Sequence, residues 1–278
     1  MGWVGGCERK ALKPKKVISH VWMHRILEEI IESSEIRAES LEFRFLTVHA
    51  RSIRESIGNA RMRGDIPIIS EVKPSSPTRT FREITPSDAA DIARVMERAG
   101  ACGVSVLTEP DYFHGKIENL EAVRESVSLP VLRKDFIVRE PQIVESEADM
   151  MLLIAGILSE KLGGFIRLVV DVGAEPLVEV HTLAEAERVL ATDADLIGIN
   201  NRDLETMEID LGVTEALAPI IRGERPDAVI IAESGVRTPA DVLRMIESGA
   251  DAVLVGGMIM EGEIYKNTER LVHAGDVG

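Results

Sequence analysis

Two cysteines in 278 residues, Cys7 and Cys102, are too few for a disulfide framework and show no metal-motif spacing. A reducing cytosol suits such a chain. No apolar run approaches the ~18 residues of a membrane span. The opening stretch MGWVGGCERKALKPKK is basic and glycine-rich where a signal peptide would be apolar, so none is expected. Cationic charge is scarce as well: 32 Lys and Arg face 47 Asp and Glu, a formal net charge of −15. That balance argues against nucleic acid and anionic membranes as partners. An anionic small molecule remains allowed, provided its site is locally positive. The six histidines have no metal-ligand spacing, and no Walker loop or dinucleotide fingerprint occurs. No cofactor is expected.

What the chain does have is a repeat. ERAGACGVSVLTE (97 to 109), ESEADMMLLIAG (145 to 156), ATDADLIGINN (191 to 201) and ESGADAVLVGG (247 to 257) each read as a helix tail, a small-residue turn and a short apolar run. Such runs mark strands buried on both faces, as in parallel sheets. IPIISEV (66 to 72), LPVLRKDF (129 to 136), EPLVEVH (175 to 181) and DAVIIAESG (227 to 235) bring the strand count to eight. TPSDAADIARVMERAG and TPADVLRMIESGA, between strands, open with Thr-Pro and carry apolar residues at helical spacing, which predicts helices with Pro at the first position. Eight alternating units predict a (β/α)8 TIM barrel over residues 66–275, with a doubly wound sheet as the second choice. Residues 1–65 fall outside the repeat. VWMHRILEEIIESSEIRAESLEFR is amphipathic and helical, VHARSIRESIGNARMRG is expected to continue as helix, and no linker follows. The expectation is a single domain whose extension, residues 18 to 64, covers the barrel mouth.

Chemistry in such barrels sits at the C-terminal strand ends. Those ends carry Glu71 and Lys73, Leu107 and Thr108, Lys134 and Asp135, Ile154, Glu179, Asn200, Glu233 with Ser234, and Gly256 with Gly257. Polar groups from different strands thus converge on one mouth. Lys134 stands out, because an unpaired buried charge costs several kcal/mol, roughly, unless something compensates it.

The stretches IPIISEVKPSSP, VSVLTEPDYFHGKIENL, LPVLRKDFIV, EPLVEVHT, LIGINNRDLETMEID, IIAESGVRTPADV and ADAVLVGGMIM, from about residue 66 to 262, resemble indole-3-glycerol phosphate synthase in content and order. The resemblance implies a cytoplasmic carbon–carbon lyase of tryptophan biosynthesis. Its substrate would be 1-(2-carboxyphenylamino)-1-deoxyribulose 5-phosphate, which loses carbon dioxide and water as the indole ring closes. It implies a monomer, with other enzymes of the same pathway as conceivable partners.

Ring closure needs a proton donor for the ketone oxygen. Lys134 can supply it if partial burial near other cations lowers its pKa from ~10.4; an ion pair with Asp135 or Glu71 would instead be structural. The resemblance makes Lys134 the general acid and Glu179 the general base, although Glu179 could also merely bridge two lysines. Asn200 could orient Glu179 or a hydroxyl, or simply favour a turn. Arg202 either joins the substrate-binding set or pairs with Asp203. Glu71 and Lys73, two apart on a strand, face the same way; Lys73 could bind the substrate's carboxylate or phosphate, act as a rival donor, or pair with Glu71. Ser234 joins the catalytic set. Phosphate is expected on the loops after strands seven and eight and a short helix N-terminus, at Glu233, Gly235, Gly256 and Gly257, with Ser76 from KPSSP. The chain departs from the family's pattern at Gly257, commonly serine, and at Thr78-Arg79, where a glycine is usual. His181 is expected to cap or flank a helix. Met150, Met151, Met258 and Met260 read as core fillers, and Leu107, Leu152 and Phe113 either line an aromatic pocket or pack ordinarily. A Schiff-base aldolase with Lys134 forming the imine, and an inactive phosphate-ligand binder or scaffold subunit, are the competing functions.

Overall fold

The computed structural model describes residues 17–204 and 206–276, with only the backbone for residues 17–24; the basic start and Cys7 lie outside these. Eight parallel strands close a barrel: β1 (Ile68–Val72), β2 (Gly103–Leu107), β3 (Val131–Lys134), β4 (Met150–Ile154), β5 (Glu175–Val180), β6 (Leu196–Asn200), β7 (Val229–Glu233) and β8 (Ala252–Val255). β8 returns to β1 in the register Ile69↔Leu254. The expected TIM barrel is the fold observed. Side chains alternate across each strand. Val104, Val106, Val178, Val180, Ile197, Ile199 and Ile230 join the apolar layer under the surrounding helices, while Ile69, Leu132, Leu177, Leu196 and Ile231 fill the barrel's interior.

The Thr-Pro starts form helices for the reason the sequence suggests. Thr85 caps Pro86–Arg98 and Thr238 caps Pro239–Glu247, each in a reciprocal capping box with an aspartate three residues on. The repeat fails once. Between β3 and β4 the chain makes only a three-residue 3-10 turn, Glu140–Gln142, so ESEAD is no helix tail. Length is not the reason, since the equally long link between β5 and β6 holds helix Leu183–Leu190; this segment is instead pinned by its bonds to Arg133. Arg133, on the outward face of β3, is fully buried there; it donates to Gln142 O (2.5 Å) and pairs with Asp135 (3.1 Å) and Glu145 (2.5 Å). An N-terminal strap crosses the same flank, with Arg44 Nε donating to Val144 O (2.6 Å) and Arg51 pairing with Asp149 (2.6 Å).

That strap corrects a second expectation. The extension is not one helical lid. Helix α1 (Val17–Glu39) lies over the mouth, residues 40–52 run without helix, and α2 (Ile53–Met62) closes the opposite end. Ser52 caps α2, and Ile53, Ile57 and Ala60 pack with Ile69, Leu132 and Met150 on the barrel floor. On α1, Ile26 and Ile30 are four residues apart and meet Tyr112, Phe113, Phe136 and Met207. Arg37 on α1 pairs with Asp135 (2.9 Å), and Tyr112 donates its hydroxyl to Glu29 (3.0 Å). Among the described residues, no helix is long and apolar enough to cross a membrane.

Candidate active site

The inward stripes of β1, β3, β5, β6 and β7 turn polar as they rise. Ile69 is followed by Glu71 and Lys73, Leu132 by Lys134, Leu177 by Glu179, Leu196 by Gly198 and Asn200, and Ile231 by Glu233. All of these polar residues but Glu233 line a cavity of about 330 Å³ together with Leu107, Phe113, Leu152 and Ile154, and α1 adds Ile26, Leu27 and Ile30. One wall can therefore hold an aromatic ring, while charged groups face the remainder.

Lys134 Nζ lies 2.8 Å from Glu233 Oε2 and 3.4 Å from Glu71 Oε2. Asp135 is not its partner. That carboxylate turns away, to Arg37, Arg133 and the Thr108 hydroxyl (2.7 Å). Nor do other cations depress the Lys134 pKa, as the sequence reading expected. Burial does act against its ammonium, but Glu233, Glu71 and Glu179 outweigh it and raise the pKa. Lys73 Nζ sits 3.2 Å from Glu71 Oε1 and 5.6 Å from the centroid of the Phe113 ring. Burial likewise opposes Glu71, yet Lys73 and Lys134 hold its pKa down. Three buried carboxylates share these two lysines, and one of them bears the cost: burial, reinforced by Glu179 and Glu71, pushes Glu233 up to about 7 in spite of Lys134. Room for these groups comes from missing side chains. A Cβ on Gly256 would collide with Glu71 Oε1, and one on Gly198 with Glu233 Oε1. Gly256 is thus needed for close packing against Glu71, whatever else it binds.

The other end of the cavity is built from backbone. Ser234 and Gly235 both have positive φ (64° and 86°), and a Cβ on Gly235 would lie 2.5 Å from Ile209 Cγ2. Asn201 fixes this turn: its Nδ2 donates to Glu233 O (3.0 Å) and Ser234 O (3.3 Å), while its Oδ1 accepts from Thr214. A single helical turn, Gly257–Met260, begins beside it without a side-chain cap. Ser76 lies in a tight hairpin of residues 75–80, its hydroxyl 3.2 Å from Arg79 O. Arg79 and Arg237 reach the same end and both pair with Glu261.

With this geometry in view, comparison with known proteins is decisive. The family model described as Indole-3-glycerol phosphate synthase matches residues 22–271. The chain belongs to that family. An indole-3-glycerol phosphate synthase of Halobacterium salinarum is 46% identical over 229 residues, spanning 82% of this chain and 89% of its own. The enzyme of Methanopyrus kandleri is 40% identical over 256 residues, 90% and 98% of the two chains. Solved structures share the fold at low identity. A native KDPGal structure has a TM-score of 0.55 at 17% identity, covering 76% of this chain and 95% of that one. (S)-3-O-geranylgeranylglyceryl phosphate synthase from Thermoplasma acidophilum has a TM-score of 0.56 at 14%, covering 80% and 97%. The chain is accordingly an indole-3-glycerol phosphate synthase, a carboxy-lyase of tryptophan biosynthesis that acts on a phosphorylated small molecule.

The strand-end residues named from the sequence line this one cavity, except Thr108, which bonds Asp135, and Glu233, which reaches it through Lys134. Asn200 Oδ1 accepts the Arg202 backbone N–H (3.0 Å), and the amide also helps to hold Glu179 ionised. Arg202 faces the cavity and donates to Met207 O (3.2 Å). His181 flanks a helix as expected, just before the Thr182 cap of Leu183–Leu190, and its imidazole also lies 3.2 Å from Glu179, a contact the sequence did not show. Asn201 and the α1 contacts were missed too, since each depends on chain distant in sequence.

Proposed function

We propose that Lys134 and Glu179 are the acid and base of the synthase, and that the substrate is 1-(2-carboxyphenylamino)-1-deoxyribulose 5-phosphate. The observation that carries this is their separation within one cavity: Lys134 is held by Glu233 and Glu71, whereas Glu179 is held by His181 and Asn200. The ring carbon bearing the carboxylate attacks the ketone carbon, and the ketone oxygen takes a proton from the Lys134 ammonium. The carboxylate then leaves as carbon dioxide, and its bonding electrons restore the benzene ring. The new hydroxyl departs as water with a second proton from Lys134, which has regained one from solvent. Glu179 accepts the proton whose loss makes the five-membered ring aromatic. A lysine held as an ammonium suits a proton donor and is a poor imine-forming nucleophile, which disfavours the aldolase reading.

Glu71 Oε2 is buried beside the cavity and is met only by Lys134 Nζ at 3.4 Å, without a hydrogen bond of full geometry. A buried acceptor without a hydrogen bond costs ~1–3 kcal/mol, so a ribulose hydroxyl would find a ready partner there. Lys73 and Arg202 neutralise the substrate carboxylate or phosphate, and Ser76, Ser234, Gly235, Gly256 and Gly257 receive the phosphate. We read the extension and barrel as one folding unit, since α1 and α2 each bury apolar faces on the barrel. A monomer working in the cytoplasm is consistent with this, and other enzymes of the pathway would meet it through its product.

Indole fluorescence developing from the substrate tests the assignment. Glu179→Gln should lower turnover by ~10²–10⁴ while leaving the affinity largely intact. A variant that keeps its turnover would move the base elsewhere.

A further inference from the structure

Glu179 has a partner for which ring closure alone gives no reason. His181 stands two residues further along the same chain, so both side chains face the mouth. The imidazole is nearly buried and is held from both sides, Nε2 lying 3.2 Å from Glu179 Oε1 and Nδ1 lying 3.2 Å from Glu185 Oε2. The Nδ1 contact has hydrogen-bond geometry, and the Nε2 contact is an ion-pair approach without full alignment. Glu185 itself is well anchored in the first turn of helix Leu183–Leu190. Its Oε2 accepts the His181 backbone N–H at 2.6 Å, and its Oε1 fills the space that a Cβ on Gly156 would occupy.

An imidazole with a carboxylate at each nitrogen is favoured in its protonated form. Burial opposes the charge, but Glu179 and Glu185 overcome it and push the His181 pKa up to about 10. The same contact, with help from Lys134 and Asn200, overcomes the burial of Glu179 and lowers that carboxyl to about 2. The other charged groups facing Glu179 are Lys134 from β3 and the carboxylate of Glu233 from β7, with Glu71 from β1 beyond them. If Glu179 lacked a cation of its own, it would compete with Glu233 and Glu71 for Lys134. A donor and an acceptor paired with each other are both withdrawn from the substrate.

We propose that His181 is a positioning residue for the general base: clamped at Nδ1 by Glu185, it presents Nε2 to Glu179 and keeps that carboxylate ionised and apart from Lys134. The inference rests on Glu179 being the base, and deepens that reading.

The test is the pH dependence of kcat and KM, with melting temperatures in parallel, for the wild type, His181→Gln, His181→Ala, Glu185→Gln and Glu179→Gln. Glutamine can place an amide N–H near the position of Nε2 without its charge. His181→Gln should therefore keep kcat within about threefold on the plateau, while the acid limb of the profile moves to higher pH. His181→Ala loses both donor and charge, so kcat should fall tenfold or more, roughly, with KM little changed. Glu185→Gln should shift the acid limb in the same direction by less. A His181→Gln enzyme with an unmoved acid limb would overturn the proposal, whatever its melting temperature. So would a folded His181→Ala enzyme with normal kcat. If Glu179→Gln keeps its turnover, the base assignment falls and takes the clamp with it. If Glu179→Gln is inactive and the His181 variants behave as wild type, the clamp alone falls.

Discussion

Lys134→Met separates proton transfer from structure. Methionine keeps the length and apolar stem but removes the ammonium that lies 2.8 Å from Glu233 and 3.4 Å from Glu71. Deleting one partner of a buried pair commonly costs ~3–5 kcal/mol, because the remaining charge stays buried. Here the remaining charges have alternatives. Glu71 keeps Lys73 at 3.2 Å. Glu233, already pushed up to about 7, takes up a proton once the ammonium has gone. Because the wild-type Glu233 pKa is already raised towards neutrality, its full protonation forfeits little, and less at pH 6 than at pH 7. The lysine's own desolvation is relieved at the same time. The net loss of stability should stay below ~2 kcal/mol, or about 4–8 °C in melting temperature for a chain of this size. Loss of the proton donor, in contrast, should lower turnover by ~10²–10⁴, or about 2.7–5.4 kcal/mol of barrier. Stopped-flow indole fluorescence gives the rate, and calorimetry at pH 6 and 7 gives the stability. Lys73→Met is the control and should chiefly weaken binding. Turnover within tenfold of wild type, together with a melting point lowered by well over 8 °C, would refute the catalytic role and leave Lys73 as the donor.

The phosphate end gives a paired prediction. A Cβ on Gly257 meets nothing nearer than Phe81 at 3.5 Å, so Gly257→Ser should fold and bind inorganic phosphate at least as tightly. Gly257→Asp should weaken binding about tenfold or more, ~1.4 kcal/mol, and equal affinity in the two variants by titration calorimetry would place the phosphate elsewhere. Removing the chain through Glu39 deletes α1 and its Arg37–Asp135 pair but spares α2. KM should rise by roughly tenfold, and an unchanged KM in a folded truncation would show that α1 is no lid. The raised pKa of His181 sets a pH window for stability. Folded and unfolded forms both hold the proton below about 6.5, and only the folded form holds it up to about 10. The stability conferred by this group is therefore full below about 6.5 and lost as the pH rises through 10. The melting-point advantage of wild type over His181→Gln should shrink across that interval, and a constant difference would count against the ion pair.

Much of the fold was legible because its signals are local. Thr-Pro with an aspartate three residues on makes a capping box using contacts within one turn. Alternation along LPVLRK assigns Leu132 and Lys134 to one face whatever surrounds them. The missing third helix was overlooked because ESEAD resembles the other helix tails in composition, whereas its segment is held by the buried Arg133, a contact no local pattern shows. The break in the extension was hidden for a related reason, as SIRESIGNARMR is helical but meets the barrel floor, not the mouth. The electrostatics were the least legible. Lys134 is 99 positions from Glu233 in sequence, and nothing in LRKDF shows which sign of charge faces it. For His181 the flanking place beside helix Leu183–Leu190 was legible, but the approach of its Nε2 to Glu179 depends on how the chain leaves the strand.

The three adjacent charges of β3 show how strictly its register is constrained. Arg133 points outward, towards the flank where only the 3-10 turn Glu140–Gln142 follows the strand, and its guanidinium fills that flank by bonding Gln142, Glu145 and Asp135. Lys134 points inward to Glu233 and Glu71. Asp135, just past the strand, draws Arg37 and with it α1 towards the rim. Strand side chains alternate with a period of two, so a slip of one residue would exchange the first two roles. The mouth would then hold a guanidinium, which stays protonated at any working pH and cannot act as the acid. The flank would hold an ammonium, too compact to match the fork of bonds that Arg133 makes. A lysine thus serves the chemistry and an arginine the packing. β3 tolerates three charges in a row because each faces a different environment.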